Sequence, residues 1–198
     1  MSHAADDRSD GYQPYTSNGP RVRTDVVDVY VFTRTAPPPP SPPRDHDREA
    51  GWPARAPAAG IEFLQVLRAG EPLMNTWHPV MGHIEPGETA AATARREVRE
   101  ELGLDPGDPR VLGLWALEQT HPFYIAAINA IVMSPRFALE VAPGFAPTLN
   151  TEHTRHRWVP QRDIDAAFMW PGQKASCREI LTEIVADASL SRDALRLV

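Results

Sequence analysis

One cysteine in 198 residues, Cys177, excludes an internal disulfide and points to a reducing compartment. An excess of positive charge is also missing. The net charge of −6 argues against sequence-independent binding to nucleic-acid polymers or anionic membranes. A small phosphorylated substrate stays open, because a divalent cation can supply positive charge locally. No apolar run approaches the roughly 20 residues of a membrane helix. The first residues carry Asp6, Asp7 and Asp10 without the apolar stretch of a signal peptide. A cytoplasmic protein is the expectation. No internal repeat is present, and the oligomeric state is left open, a homodimer included.

Proline is plentiful, with 21 residues, about twice average usage. It clusters at Pro37-Pro38-Pro39-Pro40-Ser41-Pro42-Pro43, so the segment 36–60 cannot join a ladder or a helix interior. A long exposed loop between two strands is the plainer reading, and a polyproline ligand for a partner domain the sharper one. Residues 1–22 are polar and aperiodic and read as a disordered tail. Residues 191–198 read as a second tail, which leaves 23–190 as one domain.

Within that domain, Asp25 to Thr33 is β-branched and aromatic on both faces, as for a strand covered on two sides. Further strands are expected at Ile61–Arg68, Val111–Gln119, Phe123–Met133 and Thr154–Val159. The apolar run Ile125–Met133 suggests that its strand is central. In the last strand His156 and Trp158 fall on one face and Arg155 and Arg157 on the other. Glu140–Asn150 reads as a loop, Asp163–Met169 as a short helix, and Lys174–Ala188 as an amphipathic one. The alternation implies an α/β fold with a mixed sheet between helices.

The most informative stretch is Gly82 to Leu104. Glu85-Pro86-Gly87 supplies a turn, Thr89 a helix cap, and Gly103 a left-handed stop. At 100° per residue, Glu97, Glu100 and Glu101 fall within an arc of roughly 100°. Ala90, Ala94, Val98 and Leu102 form the adjoining apolar stripe. One side of the helix can be buried while three carboxylates face a cleft. Oxygen donors without thiolate or imidazole suit Mg2+ or Mn2+. Taken alone, the carboxylates fit a solvated surface helix with Glu–Arg pairs equally well.

The spacing separates these readings. Gly82, Glu88, Arg96-Glu97-Val98, Glu100-Glu101 and Gly103-Leu104 are nine positions in 23 residues. Together they match the Nudix box, so the chain resembles the Nudix hydrolases. That resemblance implies an α/β/α Nudix sandwich and hydrolysis of a nucleoside diphosphate linked to another moiety. It implies metal ligands at Gly82, Glu97, Glu100 and Glu101, with Arg96 orienting Glu97 and Glu88 supporting the loop or a metal-bound water. Many members read Pro-Gly-Gly where Met81-Gly82-His83 stands here, so an imidazole replaces a glycine; His83 is either a phosphate contact or a loop histidine in solvent. Thr151-Glu152-His153 before Trp158-Val159 resembles the dihydroneopterin triphosphate pyrophosphohydrolases, and implies Glu152 as a further metal ligand.

The expected partner is a nucleotide or pterin triphosphate, with Arg68, Trp77, His83 and Trp170 as candidate substrate contacts. A Nudix-fold sensor that binds a nucleotide without cleaving it is the alternative, though a sensor has no need of the full acidic set. Zinc on His153, His156 and Cys177 is disfavoured, because residues three apart on a regular strand point to opposite faces.

Overall fold

The computed structural model describes residues 18–35, 60–187 and 189–197. The Pro-rich segment and most of the expected N-terminal tail lie outside the described residues. Strand β1 (Arg21–Arg23) shows that ordered chain begins before residue 23. It is followed by β2 (Val26–Arg34), β3 (Ile61–Arg68), β4 (Trp77–His78), β5 (Val80–His83) and helix α1 (Ala90–Leu102). Next come β6 (Val111–Ala116), β7 (Phe123–Ile125), β8 (Ala130–Val132), β9 (Arg136–Val141) and β10 (His153–Pro160). Helices α2 (Ile164–Ala167), α3 (Pro171–Glu179) and α4 (Arg192–Leu195) complete the chain, and a π-helical turn, Ile180–Val185, continues α3. Among the described residues no helix is long and apolar enough to cross a membrane.

The main sheet runs β10-β3-β2-β9-β6, with β4 beside β3 and β5 beside β2. The β2–β9 pair is parallel and its neighbours antiparallel, so the sheet is mixed, as expected. Strand β2 changes partner along its length. Its second half pairs with β3, and its first half with β5, where Val27 stands opposite Gly82. That handover brings the Gly82 loop back to the sheet beside α1.

Both faces are covered. Val27, Val29, Val31, Leu64, Val66 and Val80 pack against Ala94, Val98 and Leu102 of α1. On the opposite face Tyr30, Phe32, Phe63 and Val159 pack against Ile164, Phe168, Cys177, Ile180 and Ile184. Phe63 meets Phe168 edge-on, with centroids 6.3 Å apart. This is the α/β/α arrangement that the alternation implied.

Two strand assignments are corrected. Phe123–Met133 is neither continuous nor central. It breaks at a 3-10 turn, Ala126–Ile128, and joins β1 in a separate three-stranded sheet, with Phe123, Tyr124 and Ile128 exposed. Asn129 makes the break by adopting a left-handed φ of 45°, held by Tyr124 Oη donating to its Oδ1. The strand beside β2 is instead β9, buried at every residue, and it includes Glu140 and Val141 from the expected loop. The last long helix starts earlier, at Pro171, and the expected tail 191–198 contains α4, after which the Leu197 N–H donates to the Leu114 carbonyl at 2.7 Å.

Candidate active site

Helix α1 begins where expected. Thr89 Oγ1 accepts from the Ala92 N–H at 3.2 Å, and Gly103 closes the helix with a φ of 62°. Its carboxylates are organised by Arg96. The Arg96 Nε donates to Glu88 Oε1 (2.9 Å), and Nη2 to Glu88 Oε2 (3.0 Å) and the His83 carbonyl (2.8 Å). Nη1 donates to Glu97 Oε1 (2.8 Å) and Glu100 Oε2 (3.1 Å). All five guanidinium hydrogens are therefore used. Glu88 also receives Thr93 Oγ1 at 2.8 Å, and the Arg96 and Thr93 bonds hold its carboxyl down at about 2.

Gly82 is required by close approach. A Cβ there would lie 1.8 Å from Glu97 Oε1, so only glycine lets Glu97 rest against β5. Glu97 is itself buried, and burial raises its pKa against the pull of Arg96. Glu101 is 3% exposed and pushed up to about 9 by burial, then by the charges of Glu97 and Glu152. Its Oε2 is without a hydrogen-bond partner and faces His153 Nε2 at 3.7 Å. Glu152 stands beyond it on the exposed approach to β10. A cleft of about 480 Å3 runs there between Arg68, Ala69, Gly70, Glu71, Thr151 and Glu152. A larger concavity of about 610 Å3, along Arg21–Asp25, contains none of the α1 carboxylates.

Gly82, Glu88, Arg96, Glu97 and Glu100 are thus joined in one network, with Glu101 beneath it and Glu152 coupled to it through charge. His83 contributes its carbonyl, while its side chain is exposed. Trp77 and Trp170 stand apart from this network. Trp77 pairs with Leu67 on the sheet face opposite α1, where the Arg157 guanidinium lies 4.4 Å from its ring centroid. Arg157 is fastened there by Nε and Nη2 bonds to Gln65 Oε1 (2.9 and 2.6 Å). Trp170 is 51% exposed at the start of α3.

Sequence reasoning passed over His78 and weighed His153 only as a disfavoured zinc ligand and as part of the Thr151-Glu152-His153 motif. A bulge between His153 and Arg155 reverses the expected parity, placing His153 opposite Arg68 and His156 opposite Val66, on the same face. Of the two histidines only His153 is buried; His156 is exposed and Cys177 is buried in the other core, so the three do not meet.

Among the described residues no three acidic, histidine or cysteine side chains surround a common point closely enough to hold an ion as they stand. Glu97 and Glu100 are turned onto Arg96 instead. The residues nevertheless fit a hard divalent cation. The donors are oxygens, Glu101 carries an orphaned buried oxygen, and Glu97, Glu101 and Glu152 repel one another until positive charge arrives.

A model of the NUDIX domain family matches residues 58–179. The bis(5'-nucleosyl)-tetraphosphatase (asymmetrical) of Sus scrofa is 30% identical over 128 residues, covering 60% of this chain and 78% of that protein. A C. elegans Ap4A hydrolase binary complex superposes with a TM-score of 0.57 at 17% identity, over 80% of this chain and 96% of that one. The E. coli dihydroneopterin triphosphate pyrophosphohydrolase gives 0.52 at 19%, over 79% and 97%. At these identities the two structures speak for the fold alone.

Proposed function

The chain belongs to the NUDIX domain family and is a Nudix hydrolase; we propose that it cleaves a phosphoanhydride with the help of Mg2+ or Mn2+. The substrate class is a nucleoside triphosphate or another nucleoside diphosphate derivative. Dihydroneopterin triphosphate and deoxynucleoside triphosphates are the first candidates. The Sus scrofa relative's name adds dinucleoside tetraphosphates.

The observation that carries this reading is a surplus of carboxylate. Glu88, Glu97 and Glu100 share one guanidinium, and among the described residues no arginine or lysine is in ion-pair contact with Glu101. Gly82, Glu97, Glu100, Glu101 and Glu152 are the groups that would hold the cation, which when bound offsets the charge developing on the anhydride. The chain's own residues do the rest. Arg96 keeps Glu88 and the His83 carbonyl in place, so the loop before α1 holds its shape under the substrate's charge. Arg68 lines the cleft beside Glu152, where its guanidinium can donate to a phosphate oxygen. Water adds to an internal phosphorus, the bridging P–O bond breaks, and a carboxylate of this set takes the proton.

The test is a screen of nucleoside triphosphates, sugar nucleotides, dinucleoside polyphosphates and dihydroneopterin triphosphate with Mg2+, with products identified by mass. The expected result is metal-dependent release of phosphate, pyrophosphate or a nucleotide from at least one class. No product from any of them would remove the proposal.

A further inference from the structure

On the sheet face opposite α1, Arg157 is a half-buried cation held in place without an acid. Its guanidinium lies 4.4 Å from the Trp77 ring centroid, and that of the exposed Arg155 lies 5.8 Å from the same ring. Arg157 is fastened by a neutral group. Gln65 is 0% exposed, and its Nε2 donates to the Ala167 carbonyl at 3.3 Å. Its Oε1 is thereby turned to accept from Arg157 Nε and Nη2, while Nη2 also reaches the Ala167 carbonyl at 3.4 Å. Among the described residues Nη1 has no hydrogen-bond partner, and neither Arg155 nor Arg157 pairs with a carboxylate.

An amide fixes the guanidinium without cancelling its charge. Burial alone lowers the pKa of Arg157, with no carboxylate near enough to raise it. Desolvating a cation that has no anion opposes folding, and an apolar side chain would cover Trp77 at lower cost. A ligand anion accounts for the arginine. The indole offers a stacking surface for a flat ring, and the fixed guanidinium offers donors to phosphate. A ligand that uses both carries a heteroaromatic ring and a phosphate.

We propose that Trp77, Arg155 and Arg157 form a binding site for a nucleoside 5'-phosphate. The base stacks on the Trp77–Arg157 pair, and Arg157 Nη1 and Arg155 hold the phosphate. The site adjoins the cleft described above. Trp77 and Arg155 both pair with Leu67, and the next residue, Arg68, lines that cleft beside Glu152. A nucleotide end can therefore rest on this face while the rest of the molecule continues to the α1 carboxylates. That placement of the nucleotide end rests on the proposed function.

AMP titrated in EDTA, followed by the indole N–H signal of Trp77, tests the site without turnover. The signal is assigned by its absence from Trp77→Phe. AMP should shift it and bind more tightly than adenosine or inorganic phosphate by about tenfold or more. Arg157→Gln should lose about tenfold or more of the AMP affinity, and Arg157→Lys, which keeps the charge, should lose less. A Trp77 signal that AMP leaves in place, equal affinity for AMP and adenosine, or wild-type AMP affinity in a folded Arg157→Gln overturns the proposal. If Arg157→Gln does not fold, Arg155→Gln, at an exposed position, should weaken AMP binding several-fold, and unchanged binding overturns the proposal. Nucleotide hydrolysis by a chain whose Trp77 ignores AMP removes only this site. AMP binding at Trp77 in a chain that hydrolyses nothing supports this site and removes the proposed activity.

Discussion

Two arginines organise the two sides of the sheet, and they are built differently. Arg96 sits on α1, its side chain 18% exposed, and binds three carboxylates and a carbonyl. Arg136 is 3% exposed beneath α3. It faces one carboxylate, Asp28, at 3.3 Å, and otherwise donates to Ser176 Oγ and the Gly172 carbonyl (both 2.9 Å) and to the His121 carbonyl (3.4 Å). Each network also leans on a glycine. A Cβ on Gly172 would lie 2.9 Å from Arg136 Nη2, as one on Gly82 would collide with Glu97. Burial and bond count do not distinguish a working cluster from a structural one here. Charge balance does: Arg136 and Asp28 cancel, whereas Arg96 leaves its carboxylates negative and ready for a cation.

The sharpest test of that contrast is activity. Glu101→Gln should lower turnover on the order of a thousandfold, equivalent to about 4 kcal/mol of barrier. Thermal melting should show a fold that is unharmed, because a carboxyl pushed up to about 9 is already neutral at pH 7 and glutamine matches its shape. A variant with wild-type turnover in Mg2+ would break the comparison.

Arg136→Met should do the reverse. Leaving Asp28 alone in the interior should cost about 3 kcal/mol or more of stability in urea unfolding. The double variant with Asp28→Leu should recover much of that loss, and the folded fraction of each should keep its activity.

The buried pair also predicts a pH effect. Burial, outweighing the attraction of Arg136, pushes Asp28 up to about 6 from 3.8. The folded state therefore holds this proton more tightly than the unfolded state. The resulting contribution is complete below about pH 4 and is lost as pH rises through 6, in total about 3 kcal/mol. Stability curves of wild type and Asp28→Asn should differ in slope across that window; parallel curves would contradict it.

The smallest effect is local. Thr89→Ala removes the side-chain acceptor for the Ala92 N–H and should cost about 1 kcal/mol, read as a small shift in the urea midpoint. Mn2+ affinity should stay within a few-fold, since Arg96 holds the carboxylates independently.

Local pattern was sufficient for α1, its caps, its carboxylates, and the strands β2, β3, β6 and β10. In each, period and breakers agree over a continuous stretch. It failed at Phe123–Met133, whose apolar run contains a left-handed Asn129 that turns the chain. It also missed β9, whose six buried residues include Arg136 and Glu140, so the segment does not look like a core strand. Arg136 is at home there only because Asp28, Ser176 and two carbonyls arrive from other parts of the chain.

The amino-acid order by itself determined that a helix with three carboxylates on one side follows a glycine turn, because those properties depend on spacing along one element. Tertiary structure decided which charges are balanced. Arg96 gathers Glu88 across the loop, Arg136 meets Asp28 across a parallel pair, and the β10 bulge turns His153 toward Glu101. A one-residue bulge reverses the facing of everything before it, and its position depends on pairing with β3.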